Sequence, residues 1–563
     1  MFASHCSLFM KKMTRHFLLS TFWLIAFLIA CTAAPSPEAS QPAPTVQPPA
    51  AASAASGVAT EVATQVAVEA AAESTTEATA EVAAADTATP IVPTDSPAVI
   101  FTASLPEAQP GAAGIGDTFY PAFGNGGYDV DHYTLDLTVP DLATSVLQGE
   151  ATIRATATQP LAQFNLDFLG FQIDLLTVNG QPAQFQRDGQ EFAITPLQPL
   201  GLGESFEVVV RYSGEPPTLA SQSGGDEVGW IFYEGGSYVF SEPDGAATFF
   251  PANDHPLDKA TYTLRIHAPQ GYLAAANGVL VSSAAEGGMS TFTWEERQPM
   301  ASYLVTVAIG QLDLENGQSA SGIPIRNYFQ AEVGREYRDL FDRQGEMLDF
   351  YSAVFGSYPF ETYGSLVVDA EVGSALEAQT LSVYGTDMLD LEDSAVTEQL
   401  IAHELAHQWF GDSLSLADWS DIWLNEGFAS YAEGLWVEHT EGADALDQWV
   451  ADLYAYAVEA GDSETPPAAV QPGDLFNEGV YVRGGLALHA LRLEVGDETF
   501  FKIIQTYVGR YQHRNVRTAD FIAVAEEISG KSLGQFFDDW LKQPALPPIP
   551  ALGLGRGAVV CPV

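Results

Sequence analysis

The chain is 563 residues long and carries 73 Asp and Glu against 22 Lys and Arg, a formal charge of −51 at pH 7. Only 17% of residues are charged, so the imbalance reflects scarce Lys and Arg; no basic field is available for phosphate or anionic lipid, and nucleic acid is excluded as a default partner. At 47% hydrophobic and 11% aromatic the chain can bury large cores, while its three cysteines, Cys6, Cys31 and Cys561, cannot build a disulfide framework.

In chain order, Lys11, Lys12 and Arg15 precede an apolar run over 17–30. At about fourteen residues the run is too short for a comfortable permanent span and reads as an export signal. It ends in Leu28-Ile29-Ala30-Cys31, which resembles the lipobox of bacterial lipoproteins. The resemblance implies a signal peptide over 1–30, acylation of Cys31, and anchoring on the outer face of the bacterial cell membrane. The plainer alternative is a signal peptide or uncleaved anchor with an incidental Cys. Residues 31–112 then fall to Ala, Thr, Pro, Ser, Glu and Val with almost no aromatics. Such a stretch buries too little apolar surface to offset its ordering entropy. It is expected to be a disordered tether, holding the remainder roughly 50 Å from the membrane.

Over 113–318 the pattern has period 2. Tyr133, Leu135, Leu137 and Val139 alternate with polar residues, as do Ala151, Ile153, Ala155 and Ala157, then Phe206, Val208 and Val210. With Gly, Pro and Asn277-Gly278 as punctuation, this predicts an antiparallel β domain with one solvated face. Over 319–545 the period becomes helical, at 334–355, from 394 onward, and at 484–494, 498–511, 518–528 and 533–541. A single strand is expected at 365–370. The tail, 546–563, reads as irregular. The expected architecture is α+β and multidomain: an antiparallel β domain followed by a mostly helical one.

The chemistry lies in His403-Glu404-Leu405-Ala406-His407. On a helix, residues four apart share a face, so both imidazoles can bind one ion and Glu404 can face a water beside it. A catalytic zinc takes three protein ligands. Glu426, in Trp423-Leu424-Asn425-Glu426-Gly427-Phe428, is the third candidate, on a second helix returning antiparallel.

The runs HELAHQWFGD and WLNEGFASY resemble those of the gluzincin aminopeptidases, the aminopeptidase N and leukotriene hydrolase family (peptidase family M1). Further similarity lies in Ser241-Glu242-Pro243, in Ser374-Ala375-Leu376-Glu377-Ala378 at the place of the GxMEN motif, and in Val480-Tyr481-Val482-Arg483-Gly484-Gly485. The resemblance covers about 116–545. It implies a saddle-like N-terminal β domain, a thermolysin-like catalytic domain, and one Zn2+ per chain on His403, His407 and Glu426. It also implies hydrolysis of the N-terminal peptide bond of peptide substrates. Glu404 is then the general base and Tyr481 the donor to the oxyanion; Glu242 and Glu377 bind the substrate ammonium, and Ala375 and Leu376 line its backbone. A monomer is expected, touching the membrane only through Cys31. Ser374, Leu376 and Ala378 depart from the motif, and Phe240 replaces a Gln common before the β-domain acid. Asp412 is expected as a loop cap or partner of a ligand. His489 is expected as a packed helix residue, and Trp409, Phe410, Trp419 and Trp423 as core. A zinc hydrolase of another electrophile, an endopeptidase and a degenerate binding lipoprotein stand as alternatives.

Overall fold

The computed structural model describes residues 107–224, 227–459 and 465–555, which all fall within one compact unit, Ser104–Val559. The signal segment with Cys31, the tether up to 106 and the tail from 556 lie outside the described residues. The last residues of the expected tether are not disordered: Gln109–Pro110 pairs with Leu161–Asp167, so the folded part begins before 113. No helix among the described residues is long and apolar enough to cross a membrane.

The period-2 segments become strands whose burial alternates in the expected phase. Leu147–Ala157 and Ser205–Gly214 bury every second side chain, as does Tyr128–Thr138 apart from a register shift after Val130. They form the middle of an eight-stranded sheet. Its neighbours on one side are Ala260–Pro269, Met289–Met300 and Val279–Glu286, and on the other Gln172–Val178 and Gln181–Pro182. The sheet is antiparallel as expected, with one exception: Tyr128–Thr138 and Ala260–Pro269 run parallel. Parallel neighbours require a long crossover, and here the connection passes through two further sheets. These are the four-stranded sheet containing Leu161–Asp167 and the five-stranded sheet containing Glu227–Tyr233 and Gly236–Phe240. Asn277-Gly278 is not a hairpin turn. It carries the chain from Leu273–Ala276 in the five-stranded sheet to Val279–Glu286 in the eight-stranded one. Gly278 has φ +78°, and a Cβ there would lie 2.1 Å from the carbonyl oxygen of Glu295, so only Gly fits.

The second half is less purely helical than its sequence suggests. Leu312–Gln318, Pro324–Gln330, Ser365–Val368, Ser382–Gly385 and Ala375–Leu376 form a five-stranded mixed sheet in that order. Leu312–Gln318 lies in the expected β stretch and Ser365–Val368 was expected; Pro324–Gln330 and Ser382–Gly385 were not, because they are short, buried along nearly their whole length and show no alternation. The boundary expected at 318/319 falls inside the hairpin Leu312–Gln318/Pro324–Gln330. That hairpin pairs onward with Ser365–Val368, so the catalytic sheet begins at Leu312. Helices Gln344–Phe355, Ser394–Ala406, Trp423–Glu441, Gly484–Val495, Asp497–Tyr511, Thr518–Ser529 and Gly534–Leu541 lie within a few residues of the expected spans or fall inside them. Trp409, Phe410, Trp419 and Trp423 are core, as expected.

The loop joining Ser394–Ala406 to Trp423–Glu441 is held by the β domain. Asp117 Oδ2 accepts from the Trp419 backbone N–H at 2.7 Å and lies 3.0 Å from His255 Nε2. The Thr118 hydroxyl donates to Asp418 at 2.7 Å. Lys259 Nζ donates to the carbonyls of Asp412 and Ser413 at 2.6 and 3.1 Å, and Asn515 Nδ2 bridges the carbonyls of Pro256 and Leu416. These contacts fix how far apart the two helices lie. Asp117→Ala would strand the Trp419 N–H and the His255 ring, each buried donor costing about 1–3 kcal/mol. The variant should therefore unfold at clearly lower urea concentration, with a loss of about 2–6 kcal/mol; a midpoint equal to wild type would show that the clamp carries no load.

Candidate active site

Helix Ser394–Ala406 carries His403 and Glu404 in its last turn, with His407 as its C-cap. Helix Trp423–Glu441 presents Glu426 from its first turn. Glu426 Oε2 lies 3.4 Å from His403 Nε2 and 3.5 Å from His407 Nε2. The three donor atoms fall within 4.8 Å of one another. Ligands ~2.0–2.1 Å from a tetrahedral zinc sit about 3.4 Å apart, so the donor set matches that ion in type, and the two Glu426–imidazole distances match it in spacing. Both rings are aimed from behind. His403 Nδ1 lies 2.7 Å from Glu433 Oε1, and His407 Nδ1 lies 3.0 Å from the carbonyl of Phe410. A carbonyl can only accept, so Nδ1 keeps its proton, and once His407 is neutral the lone pair is on Nε2, the atom that faces Glu426. Glu433 was not among the sequence candidates. Its place two helical turns after Glu426 was the available signal.

The donor atoms strongly perturb one another. Burial works against charging His407, but Glu426 and Glu377 outweigh it and lift its pKa to about 9. His403 is likewise raised well above its ordinary value, as Glu426 and Glu433 overcome burial. Burial of Glu426 is outweighed by His407 and His403, which lower it to about 2. Glu404 is different: burial lifts its carboxyl to about 7 against the pull of both imidazoles. Its Oε2 is buried without a hydrogen-bond partner.

Two more carboxyls converge here. Glu377 is buried at 3% exposure and accepts a 3.4 Å bond from the Tyr303 hydroxyl; burial raises its pKa despite His407. Glu242 follows strand Gly236–Phe240 of the β domain, with Oε1 buried and unpartnered. Burial, then repulsion from Glu377 and Glu426, pushes its pKa well up. Ala375 and Leu376 form the short edge strand beside Ser382–Gly385, where an extended peptide can add as another strand. Tyr481 stacks on His403 with ring centroids 6.1 Å apart. It sits in a π-helical turn, Gly479–Arg483, a distortion frequent at functional sites. Arg483, buried in that turn, donates to carbonyls at the end of the last helix, including Trp540 at 2.5 Å and Asp539 at 2.9 Å. His489 is packed as expected, 3.3 Å from the Tyr431 hydroxyl, and burial lowers it to about 4. Asp412 caps nothing: both carboxylate oxygens are buried without a partner, and burial raises its pKa well up.

With this geometry in place, likeness to known proteins is specific. Residues 129–304 match the Peptidase M1 N-terminal domain and 340–540 the Peptidase family M1 domain. The chain belongs to peptidase family M1. It is 27% identical over 445 residues to rice aminopeptidase M1-B, covering 73% of this chain and 49% of that one. It is 32% identical over 323 residues to human glutamyl aminopeptidase, covering 54% of this chain and 34% of that one. The chain thus spans about half the length or less of these curated relatives. By contrast, it covers 99% of an M1 zinc metallopeptidase from Deinococcus radiodurans whose crystal structure holds a Tyr-Ser-Ala substrate. The match has 33% identity and TM-score 0.71 over 78% of this chain.

Imidazoles must be neutral to bind a metal, and in the metal-free site they hold protons up to about pH 9 at His407. Zinc binding at pH 7 should therefore release between about one and two protons, and affinity should rise as pH climbs from 6 towards 9. Calorimetry in two buffers of different ionisation enthalpy reads the number; no release would contradict the charge state. Glu433→Gln should weaken zinc about 10–100-fold in a chelator competition.

Proposed function

We propose that the protein is a zinc-dependent aminopeptidase that removes the N-terminal residue of peptides. The observation that carries this reading is the convergence of two further carboxyls, the buried Glu377 and the half-buried Glu242 with its buried Oε1, on the His403, His407 and Glu426 donor set. Two acids with so little other satisfaction suit a substrate ammonium, whose charge offsets their repulsion. Pairing there places the first peptide bond of the substrate at the metal and turns a general peptidase into one that counts from a free N-terminus.

Zinc on His403, His407 and Glu426 supplies a Lewis acid that lowers the pKa of water and polarises a carbonyl. Glu404, with a carboxyl near pH 7 before metal binds, accepts the proton of the attacking water and delivers it to the departing amine. The Tyr481 hydroxyl, held uncharged by burial and by Glu426, donates to the oxygen on which negative charge develops. The edge strand at Ala375 and Leu376 aligns the peptide backbone. The Leu28-Ile29-Ala30-Cys31 run supports export and lipid anchoring at Cys31 on the outer face of a bacterial membrane, with the enzyme acting as a monomer.

The test is a panel of aminoacyl fluorophores and their N-acetylated twins, with and without chelator. Free-amine substrates alone should be cleaved, and only with metal present. Glu404→Gln should bind zinc but lose nearly all turnover, and Tyr481→Phe should lower kcat about 10²–10³-fold. Cleavage of acetylated substrates would make the enzyme an endopeptidase instead.

A further inference from the structure

Resting on that reading, the question is what holds Glu377 at a fixed distance from the metal ligands. Glu377 directly follows the edge strand Ala375–Leu376, and His407 ends a helix. Their separation decides which bond is cut, and Gln408 joins the two. It follows His407 directly and is fully buried, at 0% exposure. Its Nε2 donates to the Glu377 carbonyl at 2.9 Å, and its Oε1 accepts from the Thr380 backbone N–H at 2.8 Å. The Tyr358 hydroxyl donates to the same Oε1 at 3.3 Å. Both ends of the amide are used, in opposite directions, on the two sides of one short segment.

That segment is itself under constraint. Ala378 and Leu381 close a turn, the Leu381 N–H donating to the Ala378 carbonyl at 2.8 Å. Thr380, third in the turn, has φ +66°, a conformation that a β-branched residue avoids and that normally calls for Gly or Asn. A strained residue persists only where its surroundings over-determine it. Here Gln408 takes its N–H, and its hydroxyl accepts from the Gly278 N–H at 2.7 Å. Asn277 Nδ2 donates to the Gln379 carbonyl at 2.7 Å. So the backbone that carries Glu377 is fastened to the end of the metal helix by Gln408 and to the β domain by Asn277 and Gly278.

We propose that Gln408 is a positioning residue. It sets the distance between the ammonium-binding carboxylate Glu377 and the metal ligands, and so fixes the cut at one residue. It touches no substrate; its effect passes through Glu377. A residue with a merely structural role would lower all rates together, whereas a positioning residue changes the discrimination between ammonium positions.

The experiment compares zinc-loaded wild type with Gln408→Met, which has a similar volume and neither hydrogen bond. The substrates are L-alanyl and β-alanyl p-nitroanilide, which differ in placing the ammonium one carbon further from the scissile carbonyl. Zinc content should be unchanged, and kcat on the α-substrate should fall about 10–100-fold, the cost of a misplacement near one ångström. The ratio of α to β rates should narrow at least about tenfold. A parallel fall on both substrates, or no change, would overturn the proposal. Crystal structures of the two proteins supply a readout independent of activity, since the Glu377 carboxyl should shift relative to His407 in the variant. If wild type proves inactive, the aminopeptidase reading falls, while an unmoved Glu377 would still overturn the role of Gln408. Should Gln408→Met fail to fold, Gln408→Asn keeps the amide but is one carbon shorter, so it cannot hold the Glu377 carbonyl and the Thr380 N–H together. It should narrow the same ratio, and an unchanged ratio there would overturn the proposal.

Discussion

The structure turns on a concentration of negative charge where water is scarce. Glu242, Glu377, Glu404, Glu426 and Asp412 meet around two imidazoles. Burial heads the causes at every one of these acids, raising four of them, and only Glu426 is pulled down, by the histidines it faces. Buried carboxyls that repel one another are tolerated only when protonated or when cations arrive. The donor set suits a divalent metal on His403, His407 and Glu426, and the proposed function puts a substrate ammonium between Glu242 and Glu377. In this account the crowding is therefore the source of both metal affinity and N-terminal specificity.

Holding such a site together requires a frame that does not relax when charges repel. The metal helices cross within a core of large aromatics, Trp409, Trp419, Trp423 and Phe428. The loop between them is fastened to the β domain through Asp117, Thr118 and Lys259. Tyr303, also from the β domain, packs on Trp419 with ring centroids 5.4 Å apart and reaches Glu377 with its hydroxyl. The β domain is thus more than a lid that brings Glu242. It is one wall of the metal site, which is why both domains are needed for one catalytic centre.

What the sequence revealed and what it hid divide along physical lines. Helix geometry makes His403, Glu404 and His407 legible, since a fixed spacing of four converts to a shared face. The β domain was legible because half-buried strands alternate. The inner strands Pro324–Gln330 and Ser382–Gly385 were not, because burial on both faces erases alternation. Glu242 and Glu377 required likeness to a family, since a lone acid carries no periodic signal. Asp117 and Trp419 are 302 positions apart in the chain, and Gln408 meets Glu377 across 31. Such contacts exist only after folding. Asp412 was expected as a cap or a partner of a ligand and instead keeps both oxygens unpartnered, because nothing in a sequence tells whether a loop carboxylate will point to solvent or inward.

The central claim is that two cations, a metal and an ammonium, neutralise this pocket in adjacent places. Anomalous diffraction at the zinc edge, from crystals grown with zinc and free leucine, tests it most directly. The account predicts a single peak between His403 Nε2, His407 Nε2 and Glu426, about 2.0–2.2 Å from each, with the leucine ammonium between Glu242 and Glu377. A peak elsewhere, or leucine bound with its carboxylate toward Glu242 and Glu377, would contradict it.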